Sequence, residues 1–428
     1  MSLLFYVAAA VFCAATCVLG FCVERADFAY FIALVATQTA CYVYFLLQKE
    51  RLNLRFAIFL AILLRCAWLF ATPNLSNDVY RFVWDGRLMA AGIHPLSHAP
   101  DYFMLSQNAV ATLTPALFAQ LNSPHYYTVY PTVLQAIFAI SSSFSIGSLA
   151  ANILILKAFI LAFECGTLYL LLQLLQKNKH RVVIYALNPL VINELVGNIH
   201  FEAAMIFFVL LSVFLLQKNK LNTAAFALSC AVSCKLLPLL FLPVYINVLG
   251  RQRGVAFVWR VLAFSAALLL PFLATGARGF GSSLNLYFQS FEFNGSVYYL
   301  LRAVGQWLSG YNLIAFIAPA LTAIALLSIA YKYLLPTSTK KDFFAAFLWV
   351  QTVFFAAASI VHPWYIAPLV AWSCFAKQRY AVLWSLLVPL TYVAYAQTPV
   401  TENAMVLCIE YGAVAAWYWY EKRSSSAV

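Results

Sequence analysis

Apolar segments of about 20 residues recur along almost the whole chain, separated by short polar stretches. A helix of that length crosses a bilayer, because each residue adds about 1.5 Å and the hydrocarbon core is about 30 Å thick. Only 9% of the 428 residues are charged and 64% are hydrophobic, whereas soluble proteins carry about 25% charged residues. The sequence therefore predicts an all-α polytopic integral membrane protein.

The apolar runs predict a bundle of about 12–14 transmembrane helices in a single domain, residues 1–428. The predicted spans are residues 3–22, 28–48, 55–72, 150–176, 182–195, 201–217, 221–235, 236–249, 257–276, 312–334, 343–361, 363–376, 380–396 and 403–420. Residues 133–148 are also apolar, but a full crossing there would put the basic residues that follow on the wrong side. This segment is predicted to be a short re-entrant or interfacial helix.

The basic residues indicate how the chain is oriented. The net charge of +12 does not indicate nucleic acid, because Lys and Arg come in twos and threes between apolar runs rather than in one patch. Most of them fall in alternate loops, as cytoplasmic loops of membrane proteins do. The chain is thus predicted to be a multi-pass protein of the inner cell membrane with cytoplasmic N- and C-termini. The exceptions are Arg25, Arg65, Arg81, Arg87, Lys157, Lys235, Arg278 and Arg302.

Two long connections, residues 73–132 and 277–311, are predicted to be extracytoplasmic, and long ordered connections usually carry function. In the first, Ser76 or Asn77 can cap an interfacial helix that begins at Asp78. Asp78, Arg81 and Asp85 then share one helix face. Two interpretations stay open: a surface ladder of weak ion pairs, or a reactive carboxylate beside a guanidinium.

Further polar residues are predicted at the same extracytoplasmic level. They are Glu194, Asn198, His200 and Glu202 in one hairpin, Lys235 at the end of an apolar run, Arg278, Glu292, Asn294 and Arg302 in the second long connection, and His362, Trp364 and Tyr365 in a later turn. Ionisable groups at membrane depth are costly and usually mark functional pathways. Structural alternatives stay open: a snorkelling Lys235, a buried Lys157–Glu164 pair, an ambiguous Arg65, and an ordinary aromatic belt in place of a sugar-stacking platform.

No metal or other cofactor is predicted. His94 and His98 are four residues apart, but Pro95 between them argues against a helix that carries two zinc ligands. Asp78 with Asp85 could hold a divalent cation, although nothing else in the sequence requires one.

Cations, loop carboxylates and aromatic side chains at one membrane level are what transfer from a lipid-linked phosphate donor requires. The donor's tail stays in the bilayer while its phosphate lies at the headgroup level, where Lys and Arg stabilise charge on the leaving group. A carboxylate takes the proton from the incoming hydroxyl. Since the leaving phosphate is a stable anion, no general acid is needed and the displacement inverts. The predicted phosphate ligands are Lys235, Arg278, Arg302 and Arg81.

Several short motifs are spread along the chain. They are Asn77-Asp-Val-Tyr-Arg-Phe-Val-Trp-Asp-Gly-Arg87, Gly92-Ile-His-Pro-Leu96, Val129-Tyr-Pro131 with Gln135, Gly197-Asn-Ile-His-Phe-Glu202, Lys235-Leu-Leu-Pro238, Phe293-Asn-Gly-Ser296 and His362-Pro-Trp-Tyr365. Together they resemble bacterial polytopic mannosyltransferases of the GT-C superfamily. The resemblance implies a GT-C-type bundle, a polyprenyl-phosphate sugar donor and an acidic catalytic base near the start of the first extracytoplasmic loop.

By that resemblance, Asp78 is the expected base and Asp85 the second choice. The expected substrate-binding residues are Arg87, His94, Tyr130, Glu194, His200, Glu202, Asn294, His362, Trp364 and Tyr365. His94-Pro95 and Tyr130-Pro131-Thr132 stand where relatives commonly have Asn-Pro and Tyr-Pro-Pro. Because His94 falls near the expected acceptor groove, the acceptor stays open among glycan, lipid and protein hydroxyls.

The leading hypothesis is an inverting glycosyltransferase that moves a hexose, expected to be mannose, from a polyprenyl phosphate to an acceptor hydroxyl at the extracytoplasmic face. Its expected partners are this donor, the acceptor and membrane lipids, and not nucleic acid. The alternative is a transporter or lipid flippase with Arg65, Lys157, Glu164 and Lys235 along an intramembrane pathway. Transporters usually contain duplicated halves, and no matching halves are visible in the sequence. A structural subunit without chemistry would leave the Asp78 to Asp85 pattern unexplained.

Overall fold

The computed structural model describes residues 3–145, 147–274, 276, 279, 281–283, 291–335 and 342–426. Its longer helices are Leu3–Cys22, Phe28–Leu47, Leu54–Ala67, Asp78–Ala90, Thr132–Ser145, Leu149–Leu174, Glu202–Gln217, Leu221–Val232, Leu242–Leu249, Arg251–Leu273, Val297–Ser309, Ile314–Leu334, Phe343–Ala357, Tyr380–Leu387 and Ala404–Ser426. Shorter helical segments are Pro100–Met104, Ser106–Asn108, Pro115–Phe118, Gln176–Val182, Val183–Ala186, Pro189–Val191, Ile192–Gly197, Leu237–Phe241, Pro363–Ile366, Ala367–Ser373 and Val388–Ala396. Within these residues, β pairing is limited to one isolated bridge between Phe293 and Ile360. The predicted all-α class is confirmed.

Five helices of the described chain are long and apolar enough to cross a membrane. They are Leu3–Cys22, Phe28–Leu47, Leu149–Leu174, Ile314–Leu334 and the stretch Arg251–Leu270. A sixth crossing is formed if Pro189–Gly197 and Glu202–Gln217, which meet at an angle of 111°, count as one broken span. The spans predicted at 182–195, 236–249, 363–376 and 380–396 are each divided into shorter helical segments, which contain prolines. The polytopic membrane class is confirmed, and the number of about 12–14 crossings stays a prediction.

The first long connection contains the predicted helix, Asp78–Ala90, which we call the loop helix. Of the two predicted caps, Asn77 makes no side-chain hydrogen bond to the start of the helix, whereas Ser76 Oγ accepts one from the Asp78 backbone N–H at 3.2 Å. The loop helix packs closely on Thr132–Ser145. A Cβ atom at Gly86 would lie 2.3 Å from the carbonyl oxygen of Phe138, so this close approach requires glycine.

Thr132–Ser145 is the short helix that the sequence predicts at residues 133–148. Its 14 residues extend about 21 Å, which is less than the bilayer's hydrocarbon core of about 30 Å. The side-chain amide of Asn152, at the start of the next helix, donates to Ser142 Oγ at 2.9 Å. The segment is therefore fixed against its neighbours as a short helix, and its depth in the membrane stays a prediction.

Charged residues inside the bundle have protein partners. Arg65 donates to Glu164 Oε2 at 2.8 and 2.9 Å, and the Tyr185 hydroxyl donates to Glu164 Oε1 at 2.5 Å. Lys157 Nζ donates to two backbone carbonyls that follow the helix Leu54–Ala67, each at 2.7 Å. The expected Lys157–Glu164 pair is therefore wrong. Helical spacing places those two residues on one face, but it could not show that Arg65 reaches Glu164 from another helix.

Candidate functional site

Asp78 occupies the first turn of the loop helix and is half-buried. The side-chain amide of Asn122 donates to Asp78 Oδ1 at 2.8 Å. The positive end of the helix dipole stabilises an ionised carboxylate at this position. Asp78 is therefore held in place and within reach of solvent, as a general base requires.

Asp85 has a different environment, since it is 0% exposed. Its two carboxylate oxygens accept hydrogen bonds from Arg81 Nε and Gln135 Nε2, each at 2.9 Å. Arg81 Nη1 also donates to the backbone carbonyls of Ser123 and Tyr126, at 3.3 and 2.9 Å. The interpretation as a surface ladder is wrong for this pair, because Arg81 is only 3% exposed. Arg81 Nη2 is buried without a hydrogen-bond partner, which leaves one donor for a ligand.

Tyr130 lies close to the charges of the loop helix. Its ring packs edge-on against Phe82, with 4.9 Å between ring centroids. Burial, followed by the negative charge of Asp78, raises the pKa of the Tyr130 hydroxyl well above its ordinary value. The other charges that act on this hydroxyl are Arg81, Asp85 and Glu202. The structure thus brings these sequence-predicted residues into one electrostatic environment.

The predicted hairpin that carries Glu194 and His200 has an irregular backbone. Ile192–Gly197 is a π-helix, Ile199 has a φ of 60°, and the chain bends by 111° before Glu202–Gln217. A β-branched residue rarely adopts positive φ, and strain of this kind concentrates at functional sites. The bend brings Glu194 Oε2 to 3.4 Å from His200 Nε2, and both side chains are buried.

Four rings from distant parts of the chain form a stack, which we call the ring column: His200, Trp364, His362 and Phe293. Trp364 lies between the two imidazoles, with centroid distances of 3.8 Å to His200 and 4.4 Å to His362. Phe293 packs on His362 at 5.0 Å. Because imidazoles cover both faces of Trp364, the expected stacking of a sugar on this indole is wrong for the present geometry. Trp364 instead fixes the positions of the two histidines.

Lys235 lies beside the ring column. Its ammonium lies 4.0 Å from the centre of the Tyr365 ring and pairs with the carboxylate of Glu202. The Lys235 side chain is 35% exposed, whereas that of Glu202 is 5% exposed. The Ser233 carbonyl accepts a hydrogen bond from the Val133 N–H at 3.2 Å, which joins this segment to the end of the first long connection. A lysine fixed in this way does not snorkel along a helix end, and part of it remains accessible to a ligand.

His362 is held in its neutral form. Burial, followed by the charges of Lys235 and His200, lowers the pKa of His362 to about 3, from an ordinary value of about 6.5. His362 Nδ1 and His200 Nε2 are buried without hydrogen-bond partners. The neutral imidazole of His362 therefore offers a polar atom to a substrate without adding charge.

The second long connection contributes a paired cation. Arg302 forms an ion pair with Glu292, and its side chain is 34% exposed. Burial alone would raise the pKa of Glu292, but hydrogen bonds from Tyr298 and Asn312 and the charge of Arg302 lower it below its ordinary value. A phosphate bound by Arg302 would therefore share this guanidinium with an ionised carboxylate. Arg278 lies outside the described residues.

Asn294 is the next residue after Phe293 of the ring column, and its backbone φ is 53°. Its backbone N–H donates to Glu402 at 2.5 Å, and its side-chain amide donates to Glu410 at 3.1 Å. Burial raises the pKa of Glu402. Asn294 thus anchors the second connection to the last helix, through Glu410, and to the segment before it, through Glu402. The sequence did not predict this role.

Arg87 and His94 contact other parts of the chain. Arg87 donates to the backbone carbonyls of Thr112 and Gly147 at 2.6 and 2.8 Å, so it fixes two loops at the end of the loop helix. The His94 ring packs on Phe272 at 4.6 Å, and its Nε2 is buried without a partner. Substrate binding by these two residues stays a prediction.

The described residues contain no group of three or more His, Cys, Asp or Glu side chains arranged to hold a metal ion. Asp85, one of the two carboxylates considered for a cation, already uses both oxygens. The groups that do gather are cations, carboxylates and neutral rings. They can bind an anionic group and accept a proton beside it.

Residues 3–251 match the MptA_B family, described as alpha-(1->6)-mannopyranosyltransferase, N-terminal domain. This stretch is more than half of the 428 residues and contains the loop helix, the bent hairpin and Lys235. The chain belongs to this family. It is a mannosyltransferase of the membrane, and the resemblance inferred from the motifs is confirmed. No curated protein and no solved structure matches the chain.

The matched stretch contains only part of the candidate site. Phe293, His362 and Trp364 of the ring column lie beyond residue 251, yet they stack on His200 within it. Tyr365 meets Lys235 in the same way. The C-terminal part of the chain therefore completes the site that the family domain begins.

Several polar residues of this site were not predicted from the sequence. They are Asn122, Gln135, Tyr392, Glu402 and Glu410. Gln135 belongs to one of the motifs that carry the family resemblance, so the sequence did contain an indication that it is part of the site. Tyr392, whose hydroxyl donates to Glu194 at 2.8 Å, is 198 positions away from it, and no local pattern marks such a pair.

Proposed function

We propose that this mannosyltransferase moves mannose from a polyprenyl-phosphate donor to an acceptor hydroxyl at the extracytoplasmic face of the membrane. The family description supports the sugar, and it names an α-(1→6) linkage. An inverting displacement on a β-linked phosphate donor would produce an α linkage. The acceptor is a hydroxyl of a glycan, lipid or protein.

The observation that carries the proposal is the different environment of the two loop-helix carboxylates. Asp85 is buried and saturated by Arg81 and Gln135, which suits a positioning role. Asp78 is half-buried and held through Asn122. In the proposed step, Asp78 accepts the proton of the acceptor hydroxyl. At the same time, the oxygen of that hydroxyl forms a bond to the anomeric carbon of the donor sugar. The carbon–oxygen bond to the phosphate breaks, and the electron pair leaves with the lipid phosphate.

Lys235 and Arg81 support the proposed binding of the leaving phosphate. Lys235 carries an accessible ammonium at the ring column, and Arg81 keeps one buried guanidinium nitrogen without a partner. Arg81 is one of the charges that act on the Tyr130 hydroxyl, and Lys235 pairs with Glu202, which is another. Cations fixed in advance stabilise the developing negative charge without a reorganisation cost. Arg302 and Arg278 remain proposed phosphate ligands.

The test is transfer of labelled mannose from a polyprenyl-phosphate donor by the purified full chain in detergent, supplied with membrane glycolipid acceptors. We expect Asp78→Asn to lower turnover by about 10²–10⁴-fold while donor binding persists, as loss of a general base does. The matched control is Asp101→Asn, a carboxylate of the same connection that pairs with His125 at 3.0 Å on the surface. Full activity of Asp78→Asn would remove Asp78 from the mechanism. Since detergent abolishes any gradient, donor consumption would also exclude the transporter alternative.

A further inference from the structure

A cavity of about 200 Å³ lies among three predicted cytoplasmic loops. It is lined by Lys49, Glu50, Lys177, Asn178, His180, Arg181 and Arg379, and we call it the basic cavity. Phe31, near the start of the helix Phe28–Leu47, packs on Tyr392 at 5.0 Å, on the side of the candidate site. The basic cavity adjoins the other end of the same helix, which is about 30 Å long. It is therefore separate from the transfer site.

Four Lys and Arg side chains face the basic cavity together with a single carboxylate, that of Glu50. Lys49 approaches Glu50 only to 3.9 Å, and the Glu50 side chain is 73% exposed, so this pair neutralises little charge. Burial, followed by the positive charge of Arg181, lowers the pKa of Arg379, so these two guanidinium groups repel each other. The Glu421 carboxylate, which also acts on Arg379, accepts the backbone N–H of Arg379 at 2.7 Å.

The two arginines are fixed by the backbone around them. Arg181 Nη2 donates to the Ala376 carbonyl, and Arg379 Nη1 donates to the carbonyls of Ser373 and Ala376 at 2.7 and 2.8 Å. Arg181 Nε and His180 Nδ1 are buried without a hydrogen-bond partner. Charges that only set membrane orientation need not converge on one cavity or be held rigidly. Fixed cations with unused donors are instead suited to bind an oxyanion.

We infer that the basic cavity binds a phosphate group at the membrane face opposite the transfer site, contacted by Arg181, Arg379, Lys49 and Lys177. The chemistry that these side chains recognise is a phosphate monoester or diester. At this membrane level it can come from the headgroup of an anionic phospholipid or from a soluble phosphate compound. Binding would tie together the loops that follow Phe28–Leu47 and Leu149–Leu174 and the turn before Tyr380.

The experiment measures the thermal unfolding midpoint of the detergent-purified full chain during three titrations: dihexanoyl phosphatidylglycerol, dihexanoyl phosphatidylcholine and inorganic pyrophosphate. A ligand that binds the folded chain raises the midpoint in a saturable way. Saturation by phosphatidylglycerol alone would identify a lipid headgroup site. Saturation by pyrophosphate as well would identify a site for soluble phosphates. Either result supports the inference when substitutions in the basic cavity weaken it, because the proposed transfer site also binds a phosphate.

The variant is Lys49→Gln with Lys177→Gln, because these two side chains are not needed to hold the backbone carbonyls that Arg181 and Arg379 bind. We expect it to weaken the apparent affinity by about tenfold, the effect of about 1.4 kcal/mol. The matched control is Lys218→Gln with Lys220→Gln, which removes the same charge from another predicted cytoplasmic loop outside the cavity. The inference is overturned if no probe gives a saturable shift, or if the Lys49→Gln, Lys177→Gln variant loses no more affinity than the control.

Discussion

Two carboxylates of one helix face have different surroundings, and residues distant in sequence cause the difference. Spacing alone predicted that Asp78, Arg81 and Asp85 face the same way, and the structure agrees. Spacing could not distinguish the two acids. Asp85 is saturated by Gln135, 50 positions away, while Asp78 is held by Asn122, 44 positions away. The residue types of the candidate site could thus be predicted, but the different surroundings of the two carboxylates depend on long-range contacts.

Replacement of Asp85 by Ala is expected to destabilise the protein strongly. It leaves the buried Arg81 guanidinium without its carboxylate, and removal of one partner from a buried pair costs about 3–5 kcal/mol. Asp101→Ala is the control, since its pair with His125 is 46% and 71% exposed at the side chains, and such pairs contribute about 1 kcal/mol or less. Denaturant unfolding in detergent measures both variants. Equal losses of stability would contradict the positioning role of Asp85.

Stability is expected to fall on acidification because of His362. Its folded pKa of about 3 lies below the unfolded value of about 6.5, so between these values the unfolded chain binds a proton that the folded chain does not. At pH 7 His362 is neutral in both states and does not change the free energy of unfolding with pH. Below about pH 6.5, protonation of His362 in the unfolded chain lowers the free energy of unfolding by up to about 1.4 kcal/mol per pH unit. Unfolding midpoints from pH 7 to pH 4.5 should fall less steeply for His362→Gln. The exposed His125→Gln is the control, and parallel profiles for wild type and His362→Gln would contradict this assignment.

At the scale of helices, the local sequence predicted where a helix begins better than whether an apolar segment forms one unbroken helix. The cap at Ser76 and the short helix at Thr132–Ser145 both follow from local sequence. The segment 182–195 reads as an uninterrupted apolar span, yet it is divided into short turns and a π-helix. Hydropathy records composition only, whereas the bend before Glu202 depends on packing with other helices. Predicted spans therefore mark where the chain is apolar rather than where one helix runs through.

Gly86→Ala is expected to disturb the loop helix and lower both stability and transfer. The new methyl group would meet the Phe138 carbonyl oxygen at 2.3 Å, and a backbone atom cannot move aside cheaply. Overpacking of this kind typically costs about 1–3 kcal/mol.

Gly412→Ala is the matched control, because its Cβ would have no atom within 4 Å. In a helix interior alanine is favoured over glycine by up to about 1 kcal/mol, so this variant should be neutral or more stable. Thermal unfolding and transfer assays compare the two. A Gly86→Ala protein as stable and active as Gly412→Ala would show that the two helices do not need this close contact.

At the scale of the whole molecule, the site depends on contacts between the family domain and the remainder of the chain. Sequence motifs predicted residues from both parts, from Asp78 to Tyr365, and the structure brings His200 of the first part against Trp364 of the second. Their common level in the membrane stays a prediction. The ring column could not be predicted, because Trp364 and His200 are joined only by tertiary packing. The C-terminal part therefore contributes side chains to the candidate site.

Trp364→Ala is expected to reduce transfer although residue 364 lies outside the matched stretch 3–251. It removes two stacked contacts, each worth about 0.5–1.5 kcal/mol, so we expect about a tenfold loss of kcat/KM. Trp364→Phe should retain most of the wild-type kcat/KM, because a phenyl ring can still stack with both histidines. Trp307→Ala, at an indole that is 83% exposed, is the control. Wild-type kinetics in Trp364→Ala would show that the histidines keep their positions without the indole.

The guanidinium of Arg81 has a consequence for the surroundings of Asp78, the proposed base. The stretch 122–126 touches Asp78 through Asn122 and is bound to Arg81 through two carbonyls. An outward movement of this stretch would break the hydrogen bond to Asp78 and expose a buried cation. The stretch and Asp78 are therefore expected to move together. Under the proposed function, substitutions in 122–126 are expected to lower turnover for every acceptor alike rather than to change the selectivity between acceptors.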